Sequence, residues 1–146
     1  MSPAEARARF AAARVARLAT ADAAGRPHLV PVAFVVAGDT VYSAVDAKPK
    51  RTRALRRLAN VRENPPVSLL VDHWDDEDWA ALWWVRADGR GRVLGVEEPE
   101  ARRAIGLLRE RYPTQRGAGE VLAVEVERWS GWAATGDATE PTQSWL

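Results

Sequence analysis

The chain of 146 residues contains no cysteine, which excludes disulfide bonds and thiolate metal sites and suits a reducing cytoplasm. It also lacks any run of about 18 apolar residues, so we expect no membrane-spanning helix. Arginines interrupt the N-terminal segment MSPAEARARFAAARVARL, and this argues against a secretory signal peptide. These absences predict a soluble, cytoplasmic protein.

The chain also has little net charge and no familiar catalytic motif. The formal net charge is +1, so a general attraction to nucleic acid is not expected. Glycine-rich nucleotide loops, G-x-S-x-G elbows and H-E-x-x-H motifs are all missing. The two histidines, His28 and His73, lack metal-ligand spacing, and the acidic run 72–78 lacks the pattern of a calcium loop. We therefore assign no catalytic residue and no metal site, and expect a cofactor to carry any reaction.

The apolar pattern predicts one mainly β domain, residues 1–146, with about six antiparallel strands and three peripheral helices. The predicted strands cover residues 17–20, 28–36, 40–45, 67–72, 80–86, 92–96 and 121–127, and the helices end near Ala16, Asn60 and Arg111. Residues 28–36 form a nearly continuous apolar run, which predicts a strand buried on both sides within a three-strand meander. Pro31 within it indicates a bulge or an edge position, and residues 88–91 indicate a turn. This pattern favours a closed or nearly closed β-barrel.

A basic segment, Lys48-Pro49-Lys50-Arg51-Thr52, joins the third predicted strand to the second helix. Such a junction presents free backbone N–H groups at the positive end of the helix dipole, where anions bind. The lysines and the arginine add positive charge, and the threonine adds a hydroxyl donor. The segment predicts a phosphate site. A solvated basic turn and a nucleic-acid patch are the alternatives, and the near-neutral chain weakens the second.

Seven tryptophans form two groups, within residues 74–84 and 129–145. Trp83 and Trp84 are adjacent in a predicted strand, so their side chains point to opposite faces. Core and dimer packing is the simpler explanation for any one tryptophan. The group as a whole suggests a buried dimer interface or a planar ligand.

The order of these features resembles a known family. The segments ARLATADAAGRPHLVPVAFVV and DTVYSAVDAKPKRTRALRRLANVRENPPVSLLVD resemble the split β-barrel flavin and deazaflavin oxidoreductases, which include pyridoxamine 5'-phosphate oxidase-like proteins. The segments HWDDEDWAALWWVRADGRGRVL and VERWSGWAA are similar to the actinobacterial branch that uses coenzyme F420, a 5-deazaflavin. The resemblance covers nearly the whole chain and implies a split β-barrel.

The resemblance also implies a homodimer with the cofactor at the subunit interface. The basic segment would hold the cofactor phosphate, two neighbouring strands would hold the ring, and the other subunit would cover it. The residues implied for these roles are, in that order, Lys48, Lys50, Arg51 and Thr52, then Pro31, Val32, Ala33, Ser43 and Ala44, then Trp84 and Arg86. No side chain is assigned as a catalytic acid or base.

The activity implied by the resemblance is hydride transfer between reduced F420 and an unsaturated organic small molecule. FMN is the alternative cofactor, because both molecules carry a phosphate. Three further arginines, Arg53, Arg56 and Arg57, would neutralise the acidic oligoglutamyl tail of F420 and so favour it. A cofactor carrier or sequestering protein without turnover is a third hypothesis.

Overall fold

A computed structural model describes residues 1–45, 51–114 and 119–135, with the side chains of residues 51–55 outside the described part. In chain order the elements are α1 (Pro3–Ala12), β1 (Ala16–Ala21), β2 (Pro27–Val32), β3 (Val35–Ala37), β4 (Thr40–Ala44), α2 (Arg51–Glu63), β5 (Pro66–His73), a 3₁₀ turn (Trp79–Ala81), β6 (Trp83–Leu94), α3 (Pro99–Arg111) and β7 (Val121–Ala133). The strands form one antiparallel sheet in the order β2–β1–β5–β6–β7–β4–β3.

The sheet closes on itself because of the connection between β2 and β3. These strands lie at opposite edges of the sheet, yet only Ala33 and Phe34 separate them in sequence. Three residue steps span at most about 11 Å, whereas six strand spacings in a flat sheet come to about 29 Å. The two edges must therefore approach each other, and the predicted mainly β barrel is confirmed.

The prediction for residues 28–36 is wrong in two respects. The segment is divided between β2 and β3, so the expected three-strand meander does not form. The outer face of β2 is also open, and the side chain of Leu29 is 67% exposed. An apolar run shows that two faces are apolar, but neighbouring elements decide whether both are covered. The edge position predicted for Pro31 is confirmed, since β2 is an edge strand.

The turn predicted at residues 88–91 is wrong as well. β6 runs unbroken through this segment, with a bulge at Asp88/Gly89 where Glu127 is the extra residue on β7. A Cβ atom at Gly89 would lie 2.1 Å from the backbone oxygen of Glu125, and one at Gly91 would lie 2.8 Å from Cγ1 of Val61. The glycines therefore permit close packing within a strand rather than a chain reversal.

The three predicted helices are present; α3 ends at Arg111 as predicted, whereas the ends of α1 and α2 are shifted. Ser2 caps α1 by accepting a hydrogen bond from the backbone N–H of Glu5 at 3.2 Å. α1 ends at Ala12, four residues before the predicted Ala16, since Ala16 already begins β1. α2 continues to Glu63, directly before Asn64 and the two prolines that stop it. Among the described residues, no helix combines the length and the apolar character needed to cross a bilayer.

The helices contribute to two apolar clusters. Phe10 of α1 is fully buried, with its ring centroid 4.8 Å from that of Phe34 and 5.3 Å from that of Trp129. Leu58 and Val61 of α2 join the same main core. α3 packs its alanines in a second cluster with residues of β4, β6 and β7. In contrast, the outer face of β1, β2, β5 and β6 stays open.

We expect Gly89→Ala to destabilise the protein by about 1–3 kcal/mol, because the added methyl group collides with the backbone of β7. Gly106→Ala is the matched control. Gly106 lies in α3 with nothing within 4 Å of a built Cβ, so that change should stabilise by about 0.5–1 kcal/mol. Urea denaturation followed by tryptophan fluorescence measures both, and equal effects would contradict this role of Gly89.

Candidate functional site

The open outer face carries a groove of about 540 Å³, which we call the outer-sheet groove. It lies on β1, β2, β5 and β6 and reaches the segment before β6 and the end of β7. Its lining consists of Arg17, Ala19, Leu29, Ser68, Leu69, Leu70, Asp72, His73, Trp74, Leu82, Trp83, Trp84, Arg86 and Trp132.

Strand alternation and register bring these side chains to one face. On β5, Leu70 is 39% exposed, while its neighbours Leu69 and Val71 are buried in the barrel. The register sets Leu70 opposite Arg17 of β1 and opposite Arg86 of β6. Because directly opposed residues share a face, an apolar side chain lies between two arginines on the groove floor.

Each arginine of the groove has a carboxylate close by. Nε of Arg86 donates to Oδ2 of Asp88 at 2.7 Å, and the hydroxyl of Ser68 donates to Oδ1 of the same carboxylate at 2.5 Å. Nη1 of Arg17 lies 3.8 Å from Oδ1 of Asp72. The groove therefore presents charges of both signs around an apolar floor.

Indole rings gather at one end of the groove. Trp84 is paired in register with Trp132, and Trp83 stacks on His73 with ring centroids 6.1 Å apart. Trp83 packs against the barrel core, whereas its neighbour Trp84 occupies the alternate face, as predicted. Trp74 is 51% exposed. Aromatic side chains exposed on a groove are typical of binding surfaces.

The predicted ring-binding residues are divided between two strands and a connection: Pro31 and Val32 end β2, Ala33 lies between β2 and β3, and Ser43 and Ala44 end β4. β3, which follows Ala33 by two residues, pairs with β4, and Val35 is opposite Tyr42. Val32 and Ser43 are 4% and 6% exposed, while Pro31 is exposed and both alanines are half-buried.

Trp84 and Arg86 do not join this group within one chain. They lie on β6, the middle strand of the sheet, whereas β2, β3 and β4 lie at or next to its two edges. Within one chain, Pro31 is separated from Arg86 by three strand spacings, through Arg17 and Leu70. The site that combines these residues remains a prediction.

The predicted phosphate site also remains a prediction. Lys48 and Lys50 lie outside the described residues, as do the side chains of Arg51 and Thr52. The backbone places the start of α2 at Arg51, and the first turn of that helix has no acidic residue. This is the helix end at which an anion is favoured. Of the arginines expected to neutralise an acidic tail, Arg56 is exposed and Arg57 is half-buried, while the side chain of Arg53 is outside the described part.

A polar cluster beneath α2 was not recognised from the sequence. It consists of Thr20, His28, Arg57 and Asn60, and we call it the α2 polar cluster. Nδ2 of Asn60 donates to Oγ1 of Thr20 at 3.0 Å, with both residues buried. His28 is opposite Thr20 in the β1–β2 register. The spacing of Arg57 and Asn60 on one helix face was the available signal.

Two residues of this cluster, His28 and Arg57, have pKa values shifted by burial. Burial, together with the positive charges of Arg56 and Arg57, lowers the pKa of His28 below its ordinary 6.5. Burial also lowers the pKa of Arg57. Within the described part of the chain, no group of three His, Asp or Glu side chains is arranged to hold a metal ion.

A comparison with protein-family models shows which family the chain belongs to. The family model described as pyridoxamine 5'-phosphate oxidase matches residues 2–133, a range that contains every helix and strand named above.

The chain belongs to the pyridoxamine 5'-phosphate oxidase family.

This membership confirms the family resemblance predicted from the sequence, while assignment to the F420-using branch is a finer prediction. No protein with a curated description matches the chain.

Solved structures support the same fold for this oxidase-family protein. Rv2991 from Mycobacterium tuberculosis, a conserved hypothetical protein, is 25% identical with a TM-score of 0.70, covering 92% of this chain and 86% of its own. A FAD-binding protein from Mesorhizobium loti, mll6688, is 22% identical with a TM-score of 0.68, covering 90% and 94%. HutZ, the heme storage protein from Vibrio cholerae, is 19% identical with a TM-score of 0.68, covering 91% and 95%.

We expect the stability of this oxidase-family chain to fall as His28 becomes protonated. Its folded-state pKa lies below the ordinary 6.5, so its contribution is complete above the unfolded-state pKa and is lost as the pH falls below it. Urea denaturation at about pH 7.5 and about pH 5.5 should show a smaller loss for His28→Gln than for the unchanged protein. His73→Gln, which alters an exposed histidine, is the control. If the loss of stability between the two pH values were smaller in His73→Gln and unchanged in His28→Gln, the role of His28 would be contradicted.

Proposed function

We propose that the protein is an F420-dependent oxidoreductase that moves a hydride between reduced F420 and an unsaturated organic small molecule. The observation that carries the proposal is the basic segment 48–52 at the start of α2, in a chain of the oxidase family. Two lysines and two potential hydrogen-bond donors precede or open a helix whose first turn has no carboxylate. That donor set fits a phosphate group.

We further propose that the active form is a homodimer joined through the outer-sheet groove. The groove exposes Leu29 and Leu70 and carries both arginines and aspartates. A face with both charge signs can pair with a copy of itself, since each cation then meets an anion across a two-fold axis. In this arrangement Trp84 and Arg86 of the second copy cover a ring held near Pro31, Val32 and Ala33, with Ser43 and Ala44 beside it.

The chain's own residues would bind, orient and shield the cofactor. When bound, F420 supplies the hydride chemistry. The basic segment would hold its phosphate, and the paired indoles Trp84 and Trp132 would exclude water from a flat ring. The guanidinium of Arg86, oriented by its bond to Asp88, would hold a polar edge. We assign no side chain as a proton donor or acceptor.

A second candidate is a flavin-binding oxidoreductase that uses FMN, or a protein that carries a cofactor without turnover. Two similar structures support these alternatives: one is described as a FAD-binding protein and another as a heme storage protein. A phosphate site serves F420 and FMN equally. F420 and FMN differ in the ring and in the tail attached to that phosphate, so binding measurements with each cofactor are needed to distinguish them.

We expect F420 to quench the tryptophan fluorescence of the protein on titration. Lys50→Ala and Arg51→Ala should each weaken binding by about 1–3 kcal/mol, the range for losing a charge-assisted hydrogen bond. Arg109→Ala, in the exposed last turn of α3, is the matched control and should bind normally. Unchanged affinity in both test variants would mean that the basic segment is a solvated turn.

The same titration with FMN separates the first two candidates, because tight FMN binding without F420 binding would overturn the leading one. Loading with reduced F420 and screening quinones, nitroaromatics, enones and tetrapyrroles for reoxidation then tests turnover. If no compound in that panel reoxidises the bound F420, the protein is better described as a cofactor carrier.

We expect Leu29→Glu to convert the dimer to a monomer, because each two-fold interface would bury two new carboxylates. Light scattering coupled to size exclusion measures the mass. Leu107→Glu, at a residue that is 37% exposed on α3, is the matched control and should remain dimeric. A dimer that persists in Leu29→Glu would exclude the outer-sheet groove as the interface.

A further inference from the structure

The α2 polar cluster contains a half-buried cation, Arg57, that has no counter-ion among the described side chains. Nε of Arg57 is enclosed and has no hydrogen-bond partner among the described residues. None of the ion pairs in the described part of the chain includes Arg57. Removing a guanidinium from water without an opposing charge is costly. An enclosed arginine of this kind therefore suits an anion supplied from outside the chain.

The hydrogen bond between Asn60 and Thr20 positions the cluster. These side chains meet at 3.0 Å, and each has a neighbour on the same face: Arg57 on α2, one turn earlier, and His28 across the β1–β2 ladder. Arg56 and Arg57 are close enough to His28 for their positive charges to lower the pKa of that imidazole. Nδ1 of His28 is also enclosed without a hydrogen-bond partner.

In the part of the chain that the structure describes, the charged groups next to the cluster do not supply an anion to Arg57. From α2, Arg56 and Arg57 both present positive charge to His28. Glu63, in the last turn of α2, accepts from the backbone N–H of Ala23 at 3.3 Å. In the hairpin between β1 and β2, Asp22 is paired with Arg26 at 2.8 Å. The nearby carboxylates are thus committed to the hairpin.

The geometry points to a second anion-binding subsite, in which Arg57 and His28 together bind one oxyanion group, a phosphate or a carboxylate. Nε of arginine is always a donor, and an imidazole nitrogen donates in the matching tautomer or when protonated. A bound oxyanion satisfies both nitrogens and the charge of Arg57, whereas a water molecule would leave the charge unpaired. This subsite does not depend on the basic segment 48–52 or on F420 binding.

The test is a titration of the full-length protein with inorganic phosphate, followed by the NMR signals of the histidine rings. We expect a saturable shift of the His28 signals and a rise in the His28 pKa, with sodium chloride at equal ionic strength producing neither. Arg57→Gln should weaken the phosphate response at least about tenfold. Arg56→Gln removes an equal charge from an exposed position of the same helix and should keep the response.

A folded protein whose His28 signals do not saturate with phosphate or acetate would overturn the proposal and leave water in the enclosed space. Equal weakening by Arg56→Gln and Arg57→Gln would also overturn it, since the effect would then be general electrostatics. Comparing F420 with the same deazaflavin lacking its glutamates identifies the source of the oxyanion. If F420 shifts the His28 signals and the deazaflavin without glutamates does not, the oxyanion is a carboxylate of the cofactor tail. If inorganic phosphate shifts the signals and F420 does not, the oxyanion is a free anion. Failure of F420 to bind leaves the phosphate result unaffected.

Discussion

The connection through Ala33 and Phe34 is the constraint on which the rest of the structure depends. It joins strands at opposite edges of the sheet and so requires the sheet to close. The backbone of Phe34 at this crossing is held by the hydroxyl of Tyr112, which lies 3.0 Å from its oxygen and 3.4 Å from its nitrogen. The ring of Phe34 meanwhile packs against Phe10 in the core. Closure thus combines a covalent limit on chain length with apolar packing inside the barrel.

Closure also divides the protein surface into covered and open parts. α3 covers the outside of β4 and the first half of β7 with an apolar cluster, while the outside of β1, β2, β5 and β6 is left as the outer-sheet groove. α2 is fixed by Leu58 and Val61 in the core and by the bond from Asn60 to Thr20. Because α2 is anchored in this way, the axis of the helix has a defined direction relative to the sheet.

The family match supports a cofactor-binding fold, whereas the choice of cofactor depends on individual side chains. The family match covers residues 2–133, whereas the similar structures include proteins described by different ligands. A shared barrel therefore does not decide the ligand, since ligand choice depends on side chains placed on the common scaffold. In this chain the side chains proposed for that role are the indoles and arginines of the outer-sheet groove, those of the basic segment, and His28 with Arg57.

Local chemistry in the sequence was sufficient for features that depend on neighbouring residues. Ser2 capping α1, the prolines after Asn64 and the barrel class all follow from short-range rules or from the number of strands. The anion site at the basic segment stays a prediction, because Lys48 and Lys50 and the side chains of Arg51 and Thr52 lie outside the described residues. Only the tertiary structure decided that residues 28–36 are shared between two edges, that β6 continues through Gly89, and that Asn60 bonds to Thr20 next to His28. Each of these depends on which distant element lies opposite, and the sequence pattern around a residue carries no direct record of that partner.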